Sequence, residues 1–285
     1  MKNRLLAEKH QLFGTTKVYL AILFIGKDNP SQVYVNLKKH YAEDLDIGCK
    51  IFGQEEETLT TTTAILTLIQ QLNADPNCIG IICQLPLPNT LQAEKDKICA
   101  AVHPLKDIDG LGGIINGRHQ MGLLSFQPAT AKAVLELWDF YQLGTMKGKS
   151  IAIIGQSNVV GKPLAIECVL RGAKVSTFTE IDTKKEIITQ TKQSEVIISC
   201  TGKIHLVDKE FINPTGEQIV IDVGYGFLNG KAVGDVKFDE VAPLVKHITP
   251  VPGGVGPLTV ASLFSNMFHL QQQKKLIETL WEQVK

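Results

Sequence analysis

The chain has 285 residues, and its 29 lysines and arginines balance 29 aspartates and glutamates, so the formal net charge is zero. This length allows two ordinary domains, each with its own hydrophobic core. A balanced charge without a long basic run argues against nucleic acid as a partner. No segment approaches the roughly 20 apolar residues of a membrane helix, and no apolar signal segment opens the chain, so we expect a soluble, cytoplasmic protein without membrane contacts.

The cysteines form no CxxC pair, and several lie inside apolar runs. This is typical of buried free thiols in a reducing compartment. We therefore expect neither a disulfide nor a metal site from the cysteines at positions 49, 78, 83, 99, 168 and 200.

Short apolar segments alternate with segments of helical periodicity, a pattern typical of parallel sheets covered by helices. In the first half, the predicted strands cover residues 17–26, 49–54 and 78–84. The helices predicted between them cover residues 30–46, 58–73 and 90–101. In the second half, the predicted strands cover residues 150–155, 173–179, 195–202 and 219–224.

The pattern predicts an α/β fold of two domains. A helix over 128–143 joins the halves, and a last helix over about 257–284 follows the second sheet. Because that helix comes after a complete sheet, we expect it to return to the first domain. The predicted domains are therefore 1–127 completed by 258–285, and 128–257 with a doubly wound parallel sheet.

Tyr34 and Lys38 lie one helical turn apart, so a phenol and an ammonium project from the same helix face. We predict that this helix buries the stripe of Val33, Leu37, Tyr41 and Leu45, which places Tyr34 and Lys38 at the rim of the core. Taken alone, the pair is best explained as a tyrosine at the core edge and a lysine whose stem packs beside it. A ligand site is the alternative.

Two further segments favour the ligand site. Gln84 follows a predicted buried strand, and ligands of parallel sheets bind beyond the carboxyl ends of strands. Asp107 and Asp109 lie in a loop ahead of Gly110, which is also the composition of an ordinary turn. A lysine, an amide and a carboxylate that converge would suit a polar heterocycle with amino and carbonyl groups.

Residues 151–165 read as a strand, a glycine-rich turn and a helix. Gly155 allows the tight turn and Gly161 a close approach of the helix, while free backbone N–H groups favour a pyrophosphate. The spacing is GxSxxxG, which is weak as a general dinucleotide signature. Its position between strand and helix supports it.

Glu180 follows the next strand, where dinucleotide folds place the residue that contacts the adenosine ribose. A carboxylate there would accept the 2′-hydroxyl of NAD and repel the 2′-phosphate of NADP. A solvated acid at a helix start explains it equally well.

The segment 248–259 contains three prolines and three glycines. Prolines stiffen the backbone and glycines leave its amides accessible, so this segment is better suited to lining a ligand than to spacing domains.

Seven segments together resemble the bifunctional methylenetetrahydrofolate dehydrogenase/methenyltetrahydrofolate cyclohydrolase family, of the FolD type. In chain order they are YVNLK, QLPLP, KDIDG, GQSNVVGKP, DVG, GKAVGDV and TPVPGGVGPLT. The resemblance extends from about residue 17 to 266, and QLPLP together with TPVPGGVGP carries most of its specificity.

The resemblance implies oxidation of methylenetetrahydrofolate by NAD or NADP, followed by hydrolysis of the methenyl cation to formyltetrahydrofolate. It also implies an amino-terminal folate domain, a carboxyl-terminal Rossmann-like domain, a cleft between them, and a homodimer. We expect no metal in the site.

The resemblance also assigns roles to individual residues. Lys38 matches the catalytic lysine, Tyr34 the residue that orients the folate, Gln84 the partner of the lysine, and Asp109 the aspartate that binds the pterin. It assigns further substrate contacts to Ser31, Pro252 and Gly253. It assigns cofactor contacts to Gly155, Gln156, Ser157, Val160, Gly161, Glu180, Thr201, Gly202, Gly256 and Thr259.

The chain departs from the family pattern on the cofactor side. Ala129, Ala131 and Ala133 replace a cysteine, a proline and a glycine, and Gly112 and Gly113 replace a histidine and a proline. Other departures are Tyr225 and Gly226 after the DVG segment. Gln156 stands where NADP-using members often have arginine, so Gln156 and Glu180 favour NAD, whereas family habit, Lys184 and Lys185 favour NADP.

Three alternatives stay open at this point. The clustered departures are compatible with a monofunctional cyclohydrolase whose dehydrogenase activity is impaired. A noncatalytic folate-binding paralogue would not need Tyr34, Lys38, Gln84 and Asp109 together. Another two-domain dehydrogenase of small acids would leave QLPLP and the proline-glycine segment unexplained.

Overall fold

A computed structural model describes residues 1–26, 29–53, 59–122, 126–274 and 277–279. The chain divides into two compact units, Met1–Ala129 with Val260–Lys285, and Thr130–Thr259. Two α/β units, each with a parallel sheet, are the predicted fold class.

The first unit is built around a three-stranded parallel sheet of order β2-β1-β3. Its strands are β1 (Tyr19–Leu23), β2 (Gly48–Phe52) and β3 (Cys78–Cys83). Its helices are α1 (Lys2–Phe13), α2 (Asn29–Asp44), α3 (Thr62–Ala74), α4 (Lys95–Ala100) and α5 (Gly113–Gln120). The short 3₁₀ helix Gln92–Glu94 precedes α4.

Hydrophobic cores lie on both faces of this sheet. Leu20 and Ile22 of β1 belong to one core, and Tyr19, Ala21 and Leu23 to the other. Alternate strand residues point to opposite faces, so a central strand covered on both sides is apolar throughout. Because the three strands are parallel, the residues that follow them all lie at the same edge of the sheet, where the carboxyl ends of the strands meet.

The second unit has a five-stranded parallel sheet of order β10-β7-β6-β4-β5. Its strands are β4 (Ser150–Ile154), β5 (Lys174–Phe178), β6 (Val196–Ser199), β7 (Ile219–Asp222) and β10 (His247–Ile248), and β8 (Gly226–Leu228) pairs with β9 (Lys231–Val233) in a hairpin. Its helices are α7 (Gly161–Leu170), α8 (Lys184–Thr191) and α9 (Phe238–Val241). Two 3₁₀ helices cover Lys209–Phe211 and Ala242–Leu244. Helices α6 (Ala129–Phe140) and α10 (Val255–Gln272) contain the points at which the two units are divided.

Strand β4 lies between β5 and β6, so the chain leaves β4 toward one neighbour and reaches the other later. This is the switch point of a doubly wound sheet, where ligands bind beyond the carboxyl ends of the strands. The glycine-rich turn after β4 therefore lies at the expected ligand edge.

The predicted buried stripe of α2 is wrong for two of its four residues. Val33 and Leu37 are exposed, whereas Leu45 is buried and Tyr41 half-buried. A spacing of four residues drifts about 40° per step, while the helix repeats every 3.6 residues. The inward face of α2 is instead formed by Ser31, Val35, Lys38 and Ala42, and the buried Leu45 lies one residue past the end of the helix.

Several elements differ from the prediction. Thr61 caps α3 by accepting the Ala64 N–H over 3.3 Å, so this helix begins at Thr62. The sequence pattern did not indicate α5, the β8–β9 hairpin or β10. The predicted strand end at 54, helix start at 58 and last-helix residues 275, 276 and 280–284 lie outside the described residues.

All six cysteines are free, four of them buried and two half-buried. No helix in the described part of the chain has both the length and the apolar character needed to cross a membrane.

Candidate functional site

Lys38 and Gln84 form the centre of a buried polar cluster in the first unit. Lys38 lies on the inward face of α2, and Gln84 directly follows β3. Lys38 Nζ donates a hydrogen bond to Gln84 Oε1 over 2.8 Å, and Gln84 Nε2 donates to the Leu85 carbonyl oxygen over 2.8 Å. Because both ends of the amide are held, the amine has a defined position.

Lys38 is 7% exposed, so it belongs to the core face and not to the predicted rim. Burial lowers the pKa of its ammonium, and the charge of Asp109 and the Cys49 thiol partly oppose this shift. Burial raises the pKa of the Asp109 carboxyl, and Lys38 opposes that shift. Loss of hydration disfavours both charged forms, which brings the amine closer to the range of enzymatic acid–base groups.

Asp107 organises the loop that carries Asp109. Its Oδ1 accepts the N–H groups of Gly110 and Leu111 over 3.0 and 3.2 Å, and its Oδ2 accepts that of Gly112 over 2.7 Å. Burial raises the pKa of Asp107 to about 7, although the three N–H groups act in the opposite direction. The negative charge of Asp109 adds to the increase.

A side chain at position 112 would be crowded by this arrangement. A Cβ atom on Gly112 would lie 2.8 Å from Asp107 Oδ2. The glycine that departs from the family pattern is therefore matched to the aspartate that holds the loop.

Ser31 and Tyr34 lie on the same helix as Lys38. Ser31 is buried and donates from Oγ to the Leu85 carbonyl oxygen over 3.3 Å, so it contacts the same backbone group as Gln84. Tyr34 is half-buried, one turn before Lys38. The structure thus brings Ser31, Lys38, Gln84 and Asp109 into one cluster, with Tyr34 on the adjacent turn.

Pro252 and Gly253, the other predicted substrate contacts, belong to the second unit. Both are exposed in the turn that precedes α10, and Gly253 has a positive φ of 102°. Gly254 N–H donates to the Pro250 carbonyl oxygen over 2.9 Å and closes this turn. Their predicted role in substrate binding remains a prediction.

A cavity of about 370 Å³ lies at the carboxyl ends of β4, β5 and β6 in the second unit. It contains five of the ten predicted cofactor residues: Gly155, Gln156, Ser157, Glu180 and Thr201. Val160, Gly161, Gly202, Gly256 and Thr259 do not line it. Sequence reasoning missed its apolar wall, which includes Ile187, Leu206 and Phe211, because only the fold brings these residues together.

The turn after β4 has the geometry of a dinucleotide-binding turn. Gly155 has a φ of 101°, and its N–H donates to the Phe178 carbonyl oxygen over 2.8 Å. Ser157 Oγ accepts the Val160 N–H over 3.2 Å. Gly161 opens α7 so close to Gly155 that a Cβ atom there would overlap the Gly155 carbonyl oxygen. The turn and the helix start fit a pyrophosphate.

Charged groups of both signs line the cavity. The Glu180 side chain is exposed. In contrast, Asp182 Oδ2 already accepts hydrogen bonds from the N–H and the hydroxyl of Thr179. Lys184 donates to Glu210 over 2.8 Å and to Asp208 over 3.3 Å. The predicted phosphate role of Lys184 thus competes with two carboxylates. Lys185 does not line the cavity, but Lys203 does.

Comparison with known proteins gives the same result for both parts of the chain. The family model of the "Tetrahydrofolate dehydrogenase/cyclohydrolase, catalytic domain" matches residues 1–109, and that of the "NAD(P)-binding domain" of the same name matches residues 128–275. The "Bifunctional protein FolD 2" of Lactobacillus johnsonii is 41% identical over 255 residues, which cover 90% of this chain and 87% of that protein.

Two solved structures extend the comparison. The bifunctional enzyme FolD from Campylobacter jejuni has a TM-score of 0.86 and 36% identity, and the match covers 96% of this chain and 95% of that one. The FolD of Trypanosoma brucei, solved with NADP and an inhibitor, has a TM-score of 0.84 and 29% identity, covering 96% of this chain and 94% of that one.

Proposed function

The chain belongs to the tetrahydrofolate dehydrogenase/cyclohydrolase family, and we propose that Lys38, Gln84 and Asp109 carry the folate chemistry of its two reactions. The enzyme oxidises methylenetetrahydrofolate to the methenyl cation and hydrolyses that cation to formyltetrahydrofolate. The observation that supports the proposal is the buried Lys38 amine, held at 2.8 Å by a neutral amide.

The oxidation requires alignment more than proton transfer. The nicotinamide cofactor, when bound, accepts the hydride of the one-carbon bridge. The residues of the chain therefore have to hold and orient the pterin, which we assign to Asp109 and Tyr34. Asp109 has a raised pKa, so its carboxyl suits hydrogen bonding to the amino and amide groups of a heterocycle in either protonation state.

The hydrolysis requires proton transfers. Water adds to the methenyl carbon, one of its protons finally resides on the ring nitrogen released by C–N cleavage, and the other is released to solvent. The neutral amine of Lys38 accepts a proton from the water. The resulting Lys38 ammonium then donates a proton to the leaving nitrogen. Gln84 holds the amine without adding a charge that would raise its pKa.

A lysine substitution tests this assignment. We expect Lys38→Ala to abolish methenyl hydrolysis while dinucleotide binding persists. Lys39→Ala is the matched control, because Lys39 is the adjacent, exposed lysine of the same helix. Hydrolysis by Lys38→Ala at the wild-type rate would remove Lys38 from its proposed role.

We propose NAD as the preferred cofactor. Support comes from the exposed Glu180 carboxylate on the cavity wall and from Lys184, which already pairs with Asp208 and Glu210. Lys203 favours NADP, since it lines the cavity and forms no ion pair in the described part of the chain. Parallel assays of oxidation with NAD and with NADP, and of methenyl decay, separate this proposal from a monofunctional cyclohydrolase.

A homodimer in the cytoplasm is the proposed assembly and location. Six free thiols are compatible with a reducing compartment. The mass of the protein in solution tests the assembly, and a monomer at micromolar concentration would contradict it.

A further inference from the structure

Two buried aspartates of the second unit have no part in the chemistry described above. Asp222 ends β7 in the DVG segment, and Asp235 follows the β8–β9 hairpin in the GDV segment. They are 3% and 0% exposed. Asp235 Oδ1 has no hydrogen-bond partner in the described part of the chain. Buried acids are costly, so their contacts are the best indication of what they do.

Each aspartate occupies the space left by a glycine of the other segment. A Cβ atom on Gly224 would overlap the Asp235 carboxyl, and one on Gly234 would overlap the Asp222 carboxyl. Asp235 N–H also donates to Asp222 Oδ1 over 3.1 Å. The DVG and GDV segments therefore interlock, and neither glycine accepts a side chain without displacing a carboxyl group.

Asp235 holds the loop that follows β6. Its Oδ2 accepts the Ser199 hydroxyl over 2.7 Å, the Thr201 N–H over 2.7 Å and the Thr201 hydroxyl over 2.8 Å. Thr201 lines the cavity, yet both of its donors point to Asp235. Its contribution to ligand binding is thus the position of the loop rather than a hydrogen bond donated to the cofactor.

The backbone reinforces this arrangement. Val207 N–H donates a hydrogen bond to the Asp235 carbonyl oxygen over 3.0 Å. In turn, Lys237 N–H donates to the Val207 carbonyl oxygen over 2.9 Å. The segment that carries Asp235 therefore runs beside the continuation of the loop it holds.

Asp222, the other aspartate of the pair, is hydrogen-bonded to the start of the proline-glycine segment. Its N–H donates to Thr249 Oγ1 over 2.8 Å, and the Thr249 hydroxyl donates to the Asp222 carbonyl oxygen over 3.3 Å. Its carboxyl accepts the N–H groups of Gly224 and Val236 over 3.0 and 2.9 Å. One interlocked pair thus fixes both the cavity loop and, through Thr249, the start of the proline-glycine segment 248–259.

We propose that Asp235 and Asp222 are positioning residues of the dinucleotide site, which hold the loop 199–202 in its cofactor-binding conformation. This inference depends on the proposed function of the cavity. The proposal means that the GDV segment contributes to the affinity for the cofactor, although the carboxyl groups of Asp222 and Asp235 are buried and do not contact the cofactor.

The bifunctional enzyme contains its own control for this proposal. Dinucleotide KM reports on the cavity of the second unit, while methenyl hydrolysis needs no dinucleotide and has its proposed acid–base group, Lys38, in the first unit. Asp235 contacts Asp222 through its backbone N–H, which Asp235→Ala retains, so the segment that carries Pro252 and Gly253 should keep its position. We expect Asp235→Ala to raise the dinucleotide KM about tenfold or more, which corresponds to one or more lost hydrogen bonds to a charged group. Cyclohydrolase activity should stay within about twofold of the wild type.

Two further variants separate positioning from general stability. Asp235→Asn keeps an oxygen for Ser199 and Thr201, so it should recover part of the lost affinity; it also serves if Asp235→Ala does not fold. Gln218→Ala is the matched control. Gln218 is equally buried at the opposite end of β7, where it donates to the Thr191 and Ser194 carbonyl oxygens.

We expect Gln218→Ala to lower the melting temperature without changing the dinucleotide KM. If the Asp235 variants lower the melting temperature but leave KM within about twofold of the wild type, the positioning role is wrong. If the wild-type enzyme itself neither binds nor reduces a dinucleotide, the proposed function of the cavity fails first, and that result is read before any variant is made.

Discussion

The Lys38 amine and the Gln84 amide are joined by a 2.8 Å hydrogen bond inside the first unit, where neither is more than 9% exposed. A neutral partner positions the amine without stabilising its ammonium form by a full charge. The pKa of Lys38 is therefore set by burial, which lowers it, and by the opposing electrostatic effects of Asp109 and Cys49.

Replacing Gln84 with glutamate tests this relationship. A carboxylate beside Nζ favours the ammonium form, so the Gln84→Glu variant should raise the pKa of Lys38. We expect the rising limb of the pH profile for methenyl hydrolysis to move to higher pH, and the rate at neutral pH to fall about tenfold or more. The profile is measured after subtraction of uncatalysed hydrolysis. An unshifted limb would mean that Lys38 does not act as the base.

The raised pKa of the Asp107 carboxyl should make the free energy of unfolding depend on pH. Its pKa is about 7 in the folded chain and near 3.9 when unfolded, so the folded state retains a proton that the unfolded state loses. Its contribution is therefore fully present below pH 4 and lost as pH rises through 7. Relative to Asp107→Asn, the free energy of unfolding of the wild type should fall by about 4 kcal/mol at most over this range. Denaturant titrations at pH 4, 5.5, 7 and 8 measure it.

The Asn variant also loses one acceptor for the loop N–H groups, which lowers its stability at every pH. Only the change in the difference with pH is attributed to the proton. Parallel stability curves for the two proteins would contradict the raised pKa.

Removing the Glu180 carboxylate should change cofactor preference. In Glu180→Ser, the repulsion of a 2′-phosphate is gone and a hydroxyl donor takes its place, so the ratio of kcat/KM for NADP to that for NAD should rise about tenfold. Glu217→Ser is the control, since Glu217 pairs with Lys246 outside the cavity. An unchanged ratio would remove Glu180 from cofactor discrimination.

A methyl group at Gly155 should damage the dehydrogenase selectively. The φ of 101° disfavours any side chain, and the Cβ atom of Gly155→Ala would lie 2.7 Å from the Cys200 carbonyl oxygen. We expect loss of dinucleotide binding with retention of methenyl hydrolysis. Gly216→Ala also has a positive φ but no atom within 4 Å of its Cβ, so it controls for backbone strain alone. Equal effects of the two variants on dinucleotide binding would contradict the steric explanation.

The order of elements, the two-unit α/β architecture and the family were accessible from local patterns. Buried strands such as β1 and β3 are apolar on both faces, and segments such as QLPLP have a restricted composition. The same patterns did not indicate α5 or the β8–β9 hairpin, because these elements are short and contain too few apolar residues to show a periodicity.

The burial of individual side chains was less accessible. Val33 and Leu37 are apolar yet exposed, whereas Lys38 is charged yet buried, since the face of α2 that meets the sheet is set by packing and not by composition. The hydrogen bonds of Thr201 are a second case, because its partner Asp235 is 34 residues away along the chain.

Amino-acid order was thus sufficient for what depends on near neighbours: strand and helix segments, the glycine-rich turn, and the residues Lys38, Gln84 and Asp109 as candidates for chemistry. Folding decided which of these meet, how far burial shifts their pKa values, and which carboxylates are already occupied. Those properties arise from contacts between residues distant in sequence and from the loss of hydration around them, and neither is encoded in a local window of the chain.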